Sequence, residues 1–94
     1  MIIGTVIQQP TENLDYDIDY ASLVTTPEDT LSTVVASVTP AGLTVSGLVA
    51  NTTTGKLWAT GGVNGVEYTV TIVTTTTQGR IKEDEIIILV EETA

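Results

Sequence analysis

The side chains that most often carry out chemistry in proteins are scarce in this chain. It contains no histidine and no cysteine. Ser-His and Cys-His nucleophile systems are therefore excluded, and so are metal sites built from imidazole or thiolate ligands. Pairs of carboxylates remain possible in principle, but the acidic residues fall where solvation explains them, on strand faces, loops and the tail. We expect no enzyme activity, no catalytic residues, no cofactor and no metal.

The most regular acidic pattern lies in the segment Asn13 to Tyr20. Asp15, Asp17 and Asp19 alternate there with Leu14, Tyr16, Ile18 and Tyr20. An EF-hand calcium loop also begins with alternating Asp residues, but it requires Gly at position six and Glu at position twelve. Those positions hold Tyr20 and Thr26. The pattern indicates a half-buried strand with an acidic solvent face, and an ion shared with a neighbouring chain is the lesser alternative.

A second candidate is the glycine-rich run Gly61-Gly62-Val63-Asn64-Gly65. It lacks the Gly-Lys-Ser/Thr ending and the following helix of a phosphate-binding loop. We interpret it as a turn that leads into the strand of Tyr68.

The elements that position these residues are strands, and the clearest pair is a β-hairpin within Trp58 to Val90. A three-residue loop at Gln78-Gly79-Arg80 would set Thr77 opposite Ile81. That register pairs Tyr68, Val70 and Ile72 with Val90, Ile88 and Ile86. The predicted core comprises Trp58, Tyr68, Val70, Ile72, Ile86, Ile88 and Val90.

Tyr68 indicates the topology. It stands at the start of a late strand, two residues before the inward Val70, as in the tyrosine corner of immunoglobulin-like domains. Seven short β-branched segments separated by turns fit the same fold. The 94 residues predict one all-β domain over 1–94, an immunoglobulin-like sandwich of about seven antiparallel strands. Residues 1–9 form an N-terminal strand or docking arm, 10–90 the sandwich and 91–94 a polar tail.

The charge of the chain limits its partners. The net charge is −9, which argues against nucleic-acid binding and against attraction to an anionic membrane surface. The first residues resemble no signal peptide, and no segment reaches transmembrane length. Without cysteine, no disulfide staples the fold.

Aliphatic residues at both ends of the chain suggest a contact surface. The hairpin register sends Ile87 and Leu89 away from the core, beside Thr71 and Thr69, where a sandwich strand normally carries polar residues. The N-terminal segment either covers this strand or docks, together with it, on a neighbouring subunit. The predicted interface comprises Ile2, Ile3, Val6, Ile7, Ile87 and Leu89.

The ordered motifs from Pro10 to Val90 resemble a known family. They are Pro10, Glu12, Leu14-Asp15-Tyr16-x-Ile18-Asp19, Asp29-Thr30, Pro40-x-Gly42-Leu43, Trp58-x-x-Gly61-Gly62, Gly65-x-x-Tyr68-x-Val70-Thr71, Thr75 and Gly79-Arg80. Together they are similar to small immunoglobulin-like proteins of tailed bacteriophages described as fibre-tail adaptors, with related capsid cement or decoration proteins. Two positions depart from the family: Tyr20 stands where the family often has Trp, and Ser37 stands where another aromatic residue is common.

The resemblance implies a virion structural protein, assembled in the host cytoplasm, that attaches fibre or tail components at the head–tail region. Its implied partners are other virion proteins: a portal or head–tail adaptor, a tail or fibre protein, or the major capsid protein, in an assembly of several copies. Capsid cement is the alternative function. A carbohydrate-binding module is less favoured, because it would need exposed aromatic residues.

Overall fold

The computed structural model describes residues 2–20, 30–51 and 53–92. These residues form seven strands and no helix, which confirms the predicted all-β class. None of the described residues therefore belongs to a helix that could span a membrane. Asp29 of the family motif and the last two residues of the predicted tail lie outside the described residues. The strands are β1 (Ile2–Gln8), β2 (Asn13–Asp19), β3 (Leu31–Thr39), β4 (Leu43–Ala50), β5 (Thr54–Gly61), β6 (Val66–Thr76) and β7 (Ile81–Val90).

The strands form two sheets packed as a sandwich. The larger sheet has the order β1-β7-β6-β3 and the smaller one β2-β5-β4. This partition matches immunoglobulin domains, in which strands C, F and G share one sheet and strands B, E and D the other. The first strand differs from the constant-type arrangement, because β1 pairs in parallel with β7 instead of joining the sheet of β2.

The β6–β7 hairpin has the predicted faces but not the predicted pairs. The Thr76 N–H donates to the Arg80 carbonyl at 2.8 Å, so the three-residue loop is Thr77-Gln78-Gly79. Gly79 occupies the left-handed region, with φ +90°, as the last residue of such a loop requires. Displacing the loop by one residue displaces the register by two. Tyr68, Val70 and Ile72 therefore face Ile88, Ile86 and Asp84.

The core lies between the sheets and is built from the inward side of the alternation. In the larger sheet, β6 and β7 supply Tyr68, Val70, Ile72, Ile86, Ile88 and Val90, none more than 6% exposed. The smaller sheet supplies Ile18, Leu43, Leu57 and Ala59. Aliphatic side chains of this kind favour strands and fill a narrow space between two sheets.

The N-terminal segment lies along the last strand. Ile2 and then Gly4 to Gln8 of β1 are paired with Glu85 to Val90 of β7, with an irregularity between Ile2 and Gly4. The segment therefore pairs along the edge of β7, and β1 and β3 are the two edges of the larger sheet.

Candidate functional site

The acidic residues of β2 lie on the outer face of the smaller sheet. Asp15, Asp17 and Asp19 are exposed, and Lys56 on β5 stands opposite Asp17. The Lys56 Nζ lies 3.3 Å from Asp15 Oδ2 and 3.9 Å from Asp17 Oδ1. Among the described residues no group of acidic side chains is arranged to hold a metal ion. This face therefore presents negative charge to solvent, and exposed ion pairs of this kind add little to stability.

Trp58 does not belong to the core, contrary to the prediction. It lies between the buried Leu57 and Ala59 on β5, so the alternation places its indole on the outer face, half-buried. There it covers Gly47, which has φ +62° at an irregularity of β4. A Cβ on Gly47 would lie 2.6 Å from Trp58 Cδ1. The same irregularity leaves Val49 45% exposed.

Tyr68 makes the hydrogen bond of a tyrosine corner. The Val63 N–H donates to the Tyr68 hydroxyl at 2.9 Å, and the ring is 1% exposed. Gly62, at φ +93°, lets the turn pass close to the core, since a Cβ there would lie 2.6 Å from Val90 Cγ2. The glycine-rich run therefore serves as the turn before β6.

The six residues of the predicted interface are divided among three places. Ile7 stands beside Leu89, and Thr5 beside Ile87, all on the outer face of the larger sheet. Ile7 is 60% exposed, while Ile87 and Leu89 are half-buried. We call Ile7, Ile87 and Leu89 the outer patch. Ile3 and Val6 instead line a cleft, and Ile2, which is exposed, pairs with Glu85 at the other end of β1.

Gln8 holds β1 in place and was not singled out from the sequence. It is fully buried, and its amide nitrogen donates to the Ala59 carbonyl at 2.7 Å and the Glu12 carbonyl at 3.0 Å. The Tyr16 hydroxyl donates to Gln8 Oε1 at 2.8 Å. Burial, followed by the charge of Glu12, raises the pKa of Tyr16. One amide thereby joins the larger sheet to both β2 and β5.

A second group missed from the sequence is polar and lies inside the sandwich. Asp84, 2% exposed, faces inward on β7, and Lys82 Nζ lies 3.4 Å from its Oδ1 without a hydrogen bond of good geometry. The Tyr20 hydroxyl and Thr74 Oγ1 are also buried without a hydrogen bond of good geometry among the described residues. Burial raises the pKa of Tyr20; the Thr74 hydroxyl lowers it and the Asp84 charge raises it further. The parity of 84, 86, 88 and 90 was the signal that could have identified Asp84.

Comparison with protein-family models shows the family of this chain. The family model described as podophage GP4 fiber-tail adaptor protein gp77 matches residues 8–89. The chain belongs to this fibre-tail adaptor family. The match spans β2 to β6 and nearly all of β7, and of β1 it includes Gln8 alone. No curated protein matches the chain. This membership supports a structural role in the virion of a phage.

Proposed function

We propose that this adaptor holds a fibre or tail component at the head–tail region of the virion by protein–protein contacts, and that the outer patch is one contact surface. The observation that best supports the proposal is the exposure of aliphatic side chains where a sandwich normally carries polar ones. Ile7 is 60% exposed in the chain by itself. Exposed apolar side chains grouped on one face commonly mark a site of protein association.

The composition of β7 defines where this contact would lie. Its outward positions are Glu83 and Glu85 at one end and Ile87 and Leu89 at the other. The aliphatic end is extended by Ile7 on β1. The partner would be another virion protein: a portal or head–tail adaptor, or a tail or fibre protein. Repeated copies of the adaptor would present the same patch around the assembly.

Substitutions on the outer patch test the proposal without removing the buried side of β1. The triple variant Ile7→Thr, Ile87→Thr and Leu89→Thr places a polar, β-branched side chain suited to strands at all three positions. We expect the variant to fold and phage particles carrying it to lack fibres or tail components in electron micrographs. Val35→Thr is the matched control, because Val35 is 59% exposed on the same face but lies on β3, at the far edge of the sheet.

The other possible outcomes of the triple-variant experiment point to different functions or refute the contact surface. Particles with intact tails and fragile heads would favour the capsid cement alternative. Normal particles assembled with a folded triple variant would refute the outer patch as a contact surface. Circular dichroism and thermal denaturation of the purified variant separate these results from a failure to fold.

A further inference from the structure

The sandwich is open along the side where β1 and β2 form the edges of their sheets. The two strands are joined by the turn at Gln9 to Glu12, where the Glu12 N–H donates to the Gln9 carbonyl at 3.1 Å. Away from that turn lies a cleft of about 540 Å³, here called the β1–β2 cleft. Among the described residues, the aliphatic and aromatic part of its lining is Ile3, Val6, Tyr16, Ile18, Tyr20 and Ile86.

The residues around the cleft include four aspartates, Asp15, Asp17, Asp19 and Asp84, and one lysine, Lys82. The carboxylates of the three β2 aspartates lie on the outer face of that strand, at the rim of the cleft, and only the Asp84 side chain faces inward. Asp84 differs from the other three because its side chain is only 3% exposed. A carboxylate buried to this extent is normally satisfied by hydrogen bonds, yet Asp84 Oδ1 accepts none from the described residues. Lys82 is its charged neighbour but is itself 40% exposed.

We propose that the β1–β2 cleft binds an extended segment of a partner protein and that a cationic side chain of this segment pairs with Asp84. β2 is an edge strand of its sheet, so its outer backbone groups are available for strand addition. The apolar lining would receive the segment's alternate side chains. A guanidinium group would supply the planar donors that a buried carboxylate pairs with best.

Charge complementarity selects a different protein rather than a second copy of this chain. Two β2 edges brought together would place aspartates against aspartates, which is destabilising. The chain has only three cationic residues. Lys56 and Lys82 already pair with aspartates, and Arg80 lies just outside a strand, at the start of β7. A metal ion fits poorly, since the described residues supply no group of three ligands.

This inference goes beyond the proposed function, because the β1–β2 cleft and the outer patch are separate surfaces. It can be tested on the isolated full-length protein, so its failure is independent of the particle experiments. The probe is a synthetic peptide that alternates valine and threonine around one central arginine. The control peptide carries citrulline, which has the shape of arginine without its charge. Calorimetry measures the affinity, and amide chemical shifts identify the binding site.

The arginine peptide should bind and change the amide chemical shifts of β2 and of the residues around Asp84. The citrulline peptide should bind with an affinity lower by about tenfold or more. Asp84→Asn should lower the affinity for the arginine peptide by a similar factor. Glu67→Gln is the matched control, since it also removes one negative charge but lies exposed on β6. Lys82→Gln should strengthen binding, because Lys82 competes for Asp84. A purely structural role for Asp84 would not produce this opposite response.

Three results would overturn the inference. The first is equal affinity of the two peptides, or shifts confined to other surfaces. The second is a change in the amide chemical shifts around Asp84 when calcium chloride is added, with no change when the arginine peptide is added. The third is self-association of the protein through the cleft that Arg80→Gln abolishes, which would make a second copy the occupant. If Asp84→Asn does not fold, the comparison of wild type with Lys82→Gln and the two peptides still decides.

Discussion

The buried amide of Gln8 should be worth a large share of the stability of this small sandwich. Gln8→Leu keeps a similar volume but removes three hydrogen bonds at a position with 0% exposure. The carbonyl of Ala59 would lose its buried donor, at a cost of about 1–3 kcal/mol. The bonds of Glu12 and Tyr16 are only partly buried and should contribute about 0.5–1.5 kcal/mol each.

The apolar leucine offsets part of this loss, so we expect a net destabilisation of about 2–4 kcal/mol. A chain of 94 residues has a total stability of about 5–14 kcal/mol. Gln8→Leu should therefore remain folded while its melting temperature falls by about 10–20 °C. Urea denaturation gives the free energy, and hydrogen exchange should show faster exchange of the β1 amides.

Three comparisons sharpen this test. Gln9→Leu makes the same chemical change one residue later, outside β1, and should stay within about 0.5 kcal/mol of wild type. A double-mutant cycle of Gln8→Leu with Tyr16→Phe should give a coupling of about 1 kcal/mol, because the two side chains share one hydrogen bond. Gln8→Glu should be worse than Gln8→Leu near neutral pH, since a carboxylate would face two carbonyl oxygens.

The glutamate variant also has a predicted pH dependence. Its carboxyl should titrate above the ordinary value of about 4.3 in the folded state. The folded state then binds the proton more tightly, so the deficit relative to wild type should shrink as the pH falls. If Gln8→Leu unfolds at the same urea concentration as Gln9→Leu, with β1 still protected from exchange, the anchoring role of Gln8 is wrong.

Two further predictions concern tyrosines. Tyr68→Phe should lower the free energy of unfolding by about 1 kcal/mol or more, because the Tyr68 hydroxyl accepts a hydrogen bond from the Val63 N–H at 2.9 Å. Equilibrium denaturation measures this change, and a value near zero would show that the corner hydrogen bond does not stabilise the fold. Burial raises the pKa of Tyr20 above its ordinary value of 10.0, the Thr74 hydroxyl opposes this and the Asp84 charge adds to it. The folded state therefore holds the phenol proton more tightly than the unfolded chain, so stability should fall as the pH rises above 10. Tyr20→Phe should reduce that fall in urea titrations across this range, and equal alkaline slopes in both proteins would contradict the assignment; the raised pKa of Tyr16 should leave a residual slope.

The faces of the strands could be predicted from the sequence because strand side chains alternate with a period of two. A loop with an odd number of residues between β6 and β7 places Val70, Ile86 and Ile88 on the same face, whichever residues form the loop. The exact pairs depend on which residue takes the left-handed position, and Gly79 takes it as the last residue of the loop. Knowing the glycine alone, without its place in the turn, leaves an uncertainty of two residues in the register.

The departures from the prediction arise where alternation separates the two faces of a strand but does not tell which face is the inner one. Trp58 was assigned to the core for its size, but its neighbours Leu57 and Ala59 fill the inner positions. The room for an outward indole comes from the irregularity around Gly47, which lies on another strand. Gln8 resembles the polar end of a strand until its partners Ala59 and Tyr16 are seen. These features depend on contacts distant in sequence.

The alternation of β1 also determines which experiment can separate folding from assembly. Gln8 faces inward and joins the two sheets, whereas Ile7, one residue earlier, faces solvent. Deleting residues 1–9 would remove both side chains at once, so loss of assembly could follow from loss of the fold. The same deletion would expose the backbone edge of β7 and promote non-specific association. A substitution at Ile7 leaves the buried anchor intact. An assembly defect that appears with Ile7→Thr in a folded protein would therefore arise from the contact surface itself.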